Sequence, residues 1–346
     1  MPTVTASIGT NGRTYSTIAL WVASIPANLV TDGNARVGQM YNDSEFLLTS
    51  GIGLNGFTTD ATHFIQLTTG PGQSFRDNPN TQIFPLNYNQ SLGVGIAVNT
   101  GGAGIGVQTT TQDFLSISNI QMRNVSNGDA NLYFGGSTAG ANILSYCILR
   151  SGTTGGGGIR CVGLQGTLTC INCAFISTAT GAGSNFTSMI GVWGGGSNGT
   201  INVSNVTVAI ASGAQTTGNG FLPSSGAWNI FNCACYGWAS GFATSAGSTS
   251  GSNNASDLTI PFGTSNQAST TYANQFVNIT SGTQDYRLVA GANLVNTGST
   301  QTTYIPNSDD IAGTHRPQQS NWDIGAWEFI PPLPPVGIVG LASCEW

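Results

Sequence analysis

Five short apolar segments between Phe114 and Trp238 superimpose on one another, and their spacing is the clearest pattern in the chain. Their first residues are 27, 26, 33 and 27 positions apart. Self-similarity at a period of roughly 20 to 50 residues is the signature of stacked structural repeats. The segments are ISNIQM (117–122), LSYCIL (144–149), CINCAF (170–175), VSNVTV (203–208) and IFNCAC (230–235).

The columns of this alignment predict two strands joined by a corner. Columns one, four and six are apolar. Side chains alternate across a strand with a period of two, so columns one and four share an interior only if the chain bends between them. Column three supplies the bend, because Asn is the non-glycine residue that best tolerates the left-handed conformation. That column holds Asn119, Tyr146, Asn172, Asn205 and Asn232.

A second series of apolar segments completes each coil. Leu132–Phe134, Ile159–Cys161 and Ile190–Val192 each precede a corner segment, and they start 27 and 31 residues apart. Each coil therefore has three short strands, and successive coils are expected to stack about 4.8 Å apart. This arrangement is an all-β parallel solenoid, which lengthens by adding coils and needs no second core.

The N-terminal part predicts an arm and a cap over residues 1–30. The pattern STIALWVASI (16–25) has helical spacing, Ser16 or Thr17 can cap its first turn, and Pro26 ends it. A helix here would cover the open end of the solenoid, which otherwise exposes unpaired backbone groups. The alternative is a helix that binds a partner.

The solenoid itself is expected over residues 31–330, with regular coils at 113–240 and terminal coils at 257–329. Gly241 to Ala255 is predicted to be a long loop, after which Ile260 and Phe262 would continue columns four and six. Residues 331–346 form a Pro-rich tail that favours extended geometry and is expected to dock on the solenoid or on another subunit. Early coils are expected around Phe46–Leu48, His63–Leu67, Ile83–Leu86 and Gly93–Val98.

Composition makes the surface neutral and polar. Charged residues are 6% of the chain, against about 25% in typical soluble domains. There are 49 glycines, and all eight basic residues are Arg. Hydrophobic content of 39% argues against disorder. A net charge of −6 without a basic stripe argues against nucleic acid as a partner.

Neither membrane insertion nor secretion is indicated. The longest apolar run near an end, Val336 to Ala342, has seven residues, whereas a spanning helix needs about 20. The N-terminus lacks the basic start and apolar core of a secretory signal. A polar exterior without an export signal fits a protein of a virus particle that is released by lysis.

Six of the seven cysteines lie in inward columns, where free Cys packs as a small hydrophobe. We predict that they fill the core. Cys170 and Cys173 have the CxxC spacing, so a disulfide and a zinc or redox pair are the alternatives. Histidine is scarce, and no metal or other cofactor is expected. Cys344 lies outside the repeats.

The regular coils contain little that could support catalysis. Their only acids are Asp113 and Asp129, and no paired-carboxylate spacing appears on any face. Arg123 and Arg150 should stack one coil apart on the exterior, in contact with solvent or a partner. His63 is interpreted as a structural histidine. No catalytic residue is assigned; if the protein is an enzyme, Asp32, Asp43 and Glu45 in the irregular first third are the candidate carboxylates.

The C-terminal motifs resemble the closing segment of right-handed parallel β-helix proteins of the pectin-lyase-like superfamily. The resemblance implies the same three-strand coil, with Asp323 and Glu328 bonded to backbone amides while Ile324, Ala326 and Trp327 close the core. YSTIALWVASIP and VGQMYNDSEF near the N-terminus are similar to β-helical proteins encoded by bacterial viruses. The C-terminal motifs are FVN (276–278), DYRL (285–288), GANLVNTG (291–298), DDIAG (309–313), RP (316–317) and DIGAWE (323–328).

Two functions remain open. The first is a non-enzymatic structural protein on the surface of a virus particle, as a capsid decoration, fibre or tail-associated β-helix. It would contact other virion proteins through its termini, could form a homo-oligomer, and could bind host glycans through exposed aromatics. The second is a tailspike-type polysaccharide lyase or glycoside hydrolase. The shortage of charge along the coils favours the first.

Overall fold

The structure is a computed structural model. It describes residues 2–77, 86–100, 105–109, 112–125, 130–136, 140–151, 158–178, 188–192, 198–211, 218–243, 247–302 and 309–332. Asp129, Cys344 and residues 333–346 of the Pro-rich tail lie outside these ranges, as does most of the early coil expected around Ile83–Leu86.

Three parallel sheets form the walls of the solenoid, and each complete coil contributes one strand to each sheet. The first sheet contains β1 (Thr3–Ile8), β2 (Ala35–Met40), β5 (Ile65–Thr69), β8 (Leu115–Ser118), β11 (Ala141–Ser145), β14 (Thr167–Ile171), β17 (Thr200–Ser204), β20 (Ala227–Phe231) and β23 (Ser248–Ser252). The second sheet contains β3 (Phe46–Leu48), β6 (Gly95–Val98), β9 (Gln121–Asn124), β12 (Ile148–Arg150), β15 (Ala174–Ser177), β18 (Thr207–Ile210), β21 (Ala234–Tyr236) and β24 (Ala255–Ser256). The third sheet contains β4 (Ile52–Gly53), β7 (Ile105–Thr109), β10 (Ala130–Gly135), β13 (Ile159–Val162), β16 (Ser188–Val192), β19 (Asn219–Leu222) and β22 (Ser240–Phe242).

The other elements are short. Two α-helices, α1 (Ile18–Ala23) and α2 (Leu29–Asp32), lie near the N-terminus. Single 3-10 turns occupy Phe75–Asp77, Gln90–Leu92 and Tyr272–Asn274. An antiparallel hairpin of β25 (Phe276–Asn278) and β26 (Asp285–Leu288) lies in the C-terminal segment.

The predicted corners are confirmed. Each column-three residue lies between a first-sheet strand and a second-sheet strand, and its φ is between 49° and 63°. Ile117, Leu144, Cys170, Val203 and Ile230 are register partners in successive coils, as the alignment requires. The corner residues are Asn119, Tyr146, Asn172, Asn205 and Asn232.

The inward columns form one continuous core. Val206 and Val208, in columns four and six, are fully buried beside the cysteines of the neighbouring coils. The six described cysteines are free thiols in the interior, as predicted. Burial raises the pKa of Cys161 and of Cys233 to about 12, so the thiolate that reacts or binds metal is disfavoured.

The loop predicted at Gly241–Ala255 is wrong over most of its length, because it contains the last first-sheet strand. Asn253 is a sixth left-handed corner, with a φ of 54°. Asn254 then takes column four, where its side-chain oxygen accepts from the Cys233 backbone N–H and its nitrogen donates to the Ile230 carbonyl. Ile260 and Phe262 pack against the core without continuing the columns. The apolar pattern failed here because the final coil is polar.

At the other end, the predicted cap is present. The Thr17 hydroxyl accepts a hydrogen bond from the Leu20 N–H at 3.2 Å. Trp21 turns inward and lies against Gly38 of β2, where a Cβ atom would stand 2.7 Å from the indole ring. The first coil thus has a glycine at the point where the tryptophan approaches the strand most closely.

The C-terminal segment, residues 270–302 and 309–329, folds back along the outer face of the second sheet. It forms a second apolar cluster with outward residues of that sheet, among them Ile148, Ile176 and Tyr236. Ile324, Ala326 and Trp327 belong to this outer cluster, so the expectation that they close the solenoid core is wrong. A local motif cannot show which side of the wall its apolar residues will cover.

Corner side chains hold this segment in place. Their amide nitrogens donate to backbone carbonyls of the returning chain, in the pairs Asn172 to Asp309 (2.7 Å), Asn232 to Ser299 (2.6 Å) and Asn253 to Thr297 (2.9 Å). These three corner asparagines therefore bend their own coils and also anchor the segment that covers them.

Buried charges brace the end of this segment. Arg316 is 1% exposed, and its guanidinium donates to the Glu328 carboxylate at 3.0 Å and to the Asp323 and Gly325 carbonyls. Asp323 accepts from the backbone N–H groups of Asn296 and Phe329. The predicted bonding of Asp323 and Glu328 to backbone amides is confirmed, and Glu328 adds a buried ion pair.

Val206→Asp tests the column assignment. The substitution places an unpaired charge in a dry ladder and is expected to cost more than about 4 kcal/mol or to prevent folding. Thermal unfolding followed by circular dichroism measures the effect, with Thr200→Asp on the partly exposed part of the same coil as the control. An unchanged melting temperature for Val206→Asp would refute the assignment.

The buried acids predict that mild acidification stabilises the C-terminal segment. Burial raises the pKa of Asp310 to about 6, and burial together with the Glu328 charge raises that of Asp323 to about 7. Because these pKa values exceed the ordinary value of 3.8, protonation favours the folded state. The stabilisation is complete below about pH 4 and is lost as pH rises through about 6 to 7.

The melting temperature should therefore rise by a few degrees between about pH 8 and about pH 5. Three carboxylates have a lowered pKa, so their contribution to the free energy of unfolding is lost only at lower pH. They are Asp43, Glu45 and Asp60. Asp323→Asn should flatten the slope above about pH 6, whereas a melting temperature that falls on acidification would contradict the assignment.

Candidate functional site

An apolar depression of about 370 Å³ lies on the outer face of the first sheet. Its sides are Phe64, immediately before β5, Phe114, immediately before β8, and Ile143 on β11. Gln66 and Ser116 are register partners on adjacent strands and add an amide and a hydroxyl. Apolar walls with a few polar groups are typical of small-molecule sites.

Phe114 has a strained backbone that its neighbours maintain. Its φ is +53°, a conformation that is unfavourable for a bulky residue. Asn142, in the next coil, holds both sides of it: its side-chain oxygen accepts from the Leu115 N–H at 2.9 Å, and its nitrogen donates to the Gln112 carbonyl at 3.2 Å. Such strain persists where surrounding contacts enforce it and is concentrated at binding and active sites.

The chain segment leading to Phe64 carries an Asp–His pair. The Asp60 carboxylate accepts from the His63 ring nitrogen Nδ1 at 2.9 Å, from the backbone N–H groups of Thr62 and His63, and from the Thr62 hydroxyl. The hydroxyl of Thr62 and the ring of His63 are the main causes that lower the pKa of Asp60. His63 thus has a hydrogen-bonding partner, and Asp60 stays ionised.

The three candidate carboxylates of the irregular region each have an arginine partner. Asp32 accepts from Arg36 at 2.6 Å. Asp43 forms two bonds with Arg13, at 3.0 and 2.8 Å. Glu45 forms two bonds with Arg123, both 2.7 Å long. The structure therefore ties Asp32, Asp43 and Glu45 into separate ion pairs.

The residues that line the depression were missed by the sequence analysis. A signal was present, since FIQL (64–67) and FLSI (114–117) share an aromatic residue followed by an apolar–polar–apolar strand. The two segments are paired in the first sheet, Gln66 against Ser116. Their separation of 50 residues hid the match, because it is almost twice the spacing of the regular coils.

Within the described ranges, no three His, Cys, Asp or Glu side chains are grouped as a metal ion requires. None of the helices in those ranges has the length and hydropathy needed to span a membrane.

Strand order and parallel pairing define the chain as a parallel β-helix protein. No protein-family description matches the sequence, and no curated protein matches it. Among solved structures, the crystal structure of pectate lyase Pel9A is similar over 94% of this chain and 97% of that chain. The TM-score is 0.49 and the sequence identity is 13%.

Asn142→Ala tests the support of Phe114. The change leaves the buried Leu115 N–H and Gln112 carbonyl without their side-chain partner and is expected to cost about 2 kcal/mol. Denaturant unfolding measures this loss. Asn229→Ala is the matched control, because Asn229 bonds to Asn202 and Ser250 on a partly exposed face and its loss should cost less. Equal effects of the two changes would contradict the proposed role.

Proposed function

We propose that this chain is a non-enzymatic structural protein on the surface of a virus particle, and that its aromatic depression binds a host glycan. The viral role takes its support from the N-terminal resemblance and from the neutral exterior. Other virion proteins at the termini and further copies of the chain are the partners that this role implies. The observation that carries the glycan part is that Phe64 and Phe114 line one depression together with Gln66 and Ser116, on paired strands.

The chemistry of the depression suits a sugar ring. Pyranose rings have an apolar C–H face and a rim of hydroxyls, so they pack on aromatic side chains while amides and hydroxyls bond to their edges. Ile143 is 40% exposed and extends the apolar surface across a third strand. The β5, β8 and β11 backbones are held by parallel pairing, so the wall is formed before a ligand arrives.

The electrostatics support binding more than cleavage. Glycoside hydrolysis needs a carboxylic acid to protonate the leaving group and a second carboxylate as base or nucleophile. Asp60, near Phe64 in the chain, has a lowered pKa and is occupied by His63 and Thr62, so it cannot supply the proton at neutral pH. Asp32, Asp43 and Glu45 are neutralised by arginines.

Glycan binding is tested with variants that remove the rings. Phe64→Ala should weaken binding by about tenfold or more, because stacked aromatic contacts are lost. Phe114→Asn should weaken binding to a similar extent, and asparagine tolerates the left-handed backbone conformation of this position. Binding is measured on a glycan array and then by ligand-observed NMR. Leu47→Ala, at a residue 58% exposed on the second sheet, is the control.

The same protein tests the enzymatic alternative and the viral location. Purified chain incubated with host polysaccharide should release no oligosaccharide. Release that disappears on changing Asp32, Asp43, Glu45 or Asp60 would instead establish a tailspike-type enzyme. Imaging of intact particles should show a regular array on a capsid or tail. Absence of the chain from purified particles would refute the structural role.

A further inference from the structure

Arg150 differs from most arginines of this chain in its ionic contacts. Six of the eight arginines lie within ion-pair distance of an acid, whereas Arg150 has no such partner in the part of the chain that the structure describes. The pairs are Arg13–Asp43, Arg36–Asp32, Arg76–Asp309, Arg123–Glu45, Arg287–Asp285 and Arg316–Glu328.

A second arginine stands beside it. Arg123 and Arg150 are register partners on β9 and β12, which places them about one strand spacing, ~4.8 Å, apart on the outer face. This confirms the predicted stacking. The only carboxylate that Arg123 contacts among the described residues is Glu45, and both of its oxygens are engaged by Arg123. Two positive charges and one negative charge leave the group with a net charge of +1.

Tyr88 completes the group. Its hydroxyl donates to Glu45, and its ring lies 5.5 Å from the Arg123 guanidinium carbon. Burial and the hydrogen bond to Glu45 raise the pKa of Tyr88, so it remains a neutral phenol and supplies no charge to Arg150.

The position of Arg150 is unfavourable for an unliganded arginine. Burial, followed by the charge of Arg123, lowers its pKa. The same outward column continues with Ile176 and Ala209, which lie beneath the C-terminal segment. The arginine pair thus lies at the position where this apolar column ends. A neutral residue at position 150 would remove both the repulsion from Arg123 and the cost of desolvating a charge.

We propose that Arg150 and Arg123 form a binding site for an oxyanion, either the carboxylate of an acidic sugar or a phosphate group. Guanidinium forks match both geometries and make strong charge-assisted hydrogen bonds. A singly charged anion would neutralise the group. This site lies on the second sheet and is separate from the aromatic depression on the first, so it does not rest on the proposed glycan site.

The test is titration of the whole chain with sodium phosphate and with galacturonate, at constant ionic strength and with galactose as the neutral control. Binding is measured by calorimetry and by the shift in melting temperature. Arg150→Gln should weaken anion binding by about tenfold or more. Arg150→Lys should retain part of it, and Arg36→Gln, which removes an arginine at another place, should leave it unchanged.

Stability without anion separates binding from a structural role. Arg150→Gln relieves the repulsion from Arg123, so the variant should melt at the same temperature as the wild-type protein or higher. Phosphate binding without galacturonate binding assigns the site to a phosphate-bearing ligand, and the reverse assigns it to an acidic sugar. No saturable binding of either anion, or a lower melting temperature for Arg150→Gln with unchanged binding, would overturn the proposal.

Discussion

The left-handed corner between the first and second sheets is the constraint on which the structure depends. One residue with a φ near 50 to 60° redirects the chain so that strands before and after it present side chains to one interior. Asparagine suits this position because its backbone tolerates the conformation. Its amide is then left at the outside of the corner, where it can bind another part of the chain.

These outward amides explain how the outer face of the second sheet is covered. Asn172, Asn232 and Asn253 donate to the returning C-terminal segment, which buries apolar residues on the outer face of the second sheet. A buried charge network around Arg316 then fixes the end of the described chain. The outer face that this segment leaves uncovered includes the depression on the first sheet and the arginine pair beyond the apolar column of the second.

Charged residues are few in this chain, and most of the arginines form specific ion pairs. Some of these ion pairs join distant parts of the sequence, as Glu45 with Arg123 does. The same pairing lowers the pKa of Asp43 and of Glu45. It also makes Arg150 conspicuous, because it is a partly buried positive charge beside another one.

The repeat pattern by itself determined the coil, the corner positions, the interior columns and the role of the six cysteines, because each of these depends on contacts between like residues of neighbouring coils. The N-terminal cap followed from local helix signals. Tertiary structure alone decided the fold-back of residues 270–302 and 309–329, the strand at 248–252 and the partners of the acids. Those features rest on contacts between unlike segments, which no local period records. The same is true of the candidate site, since Phe64 and Phe114 become neighbours only when coils of unequal length are stacked.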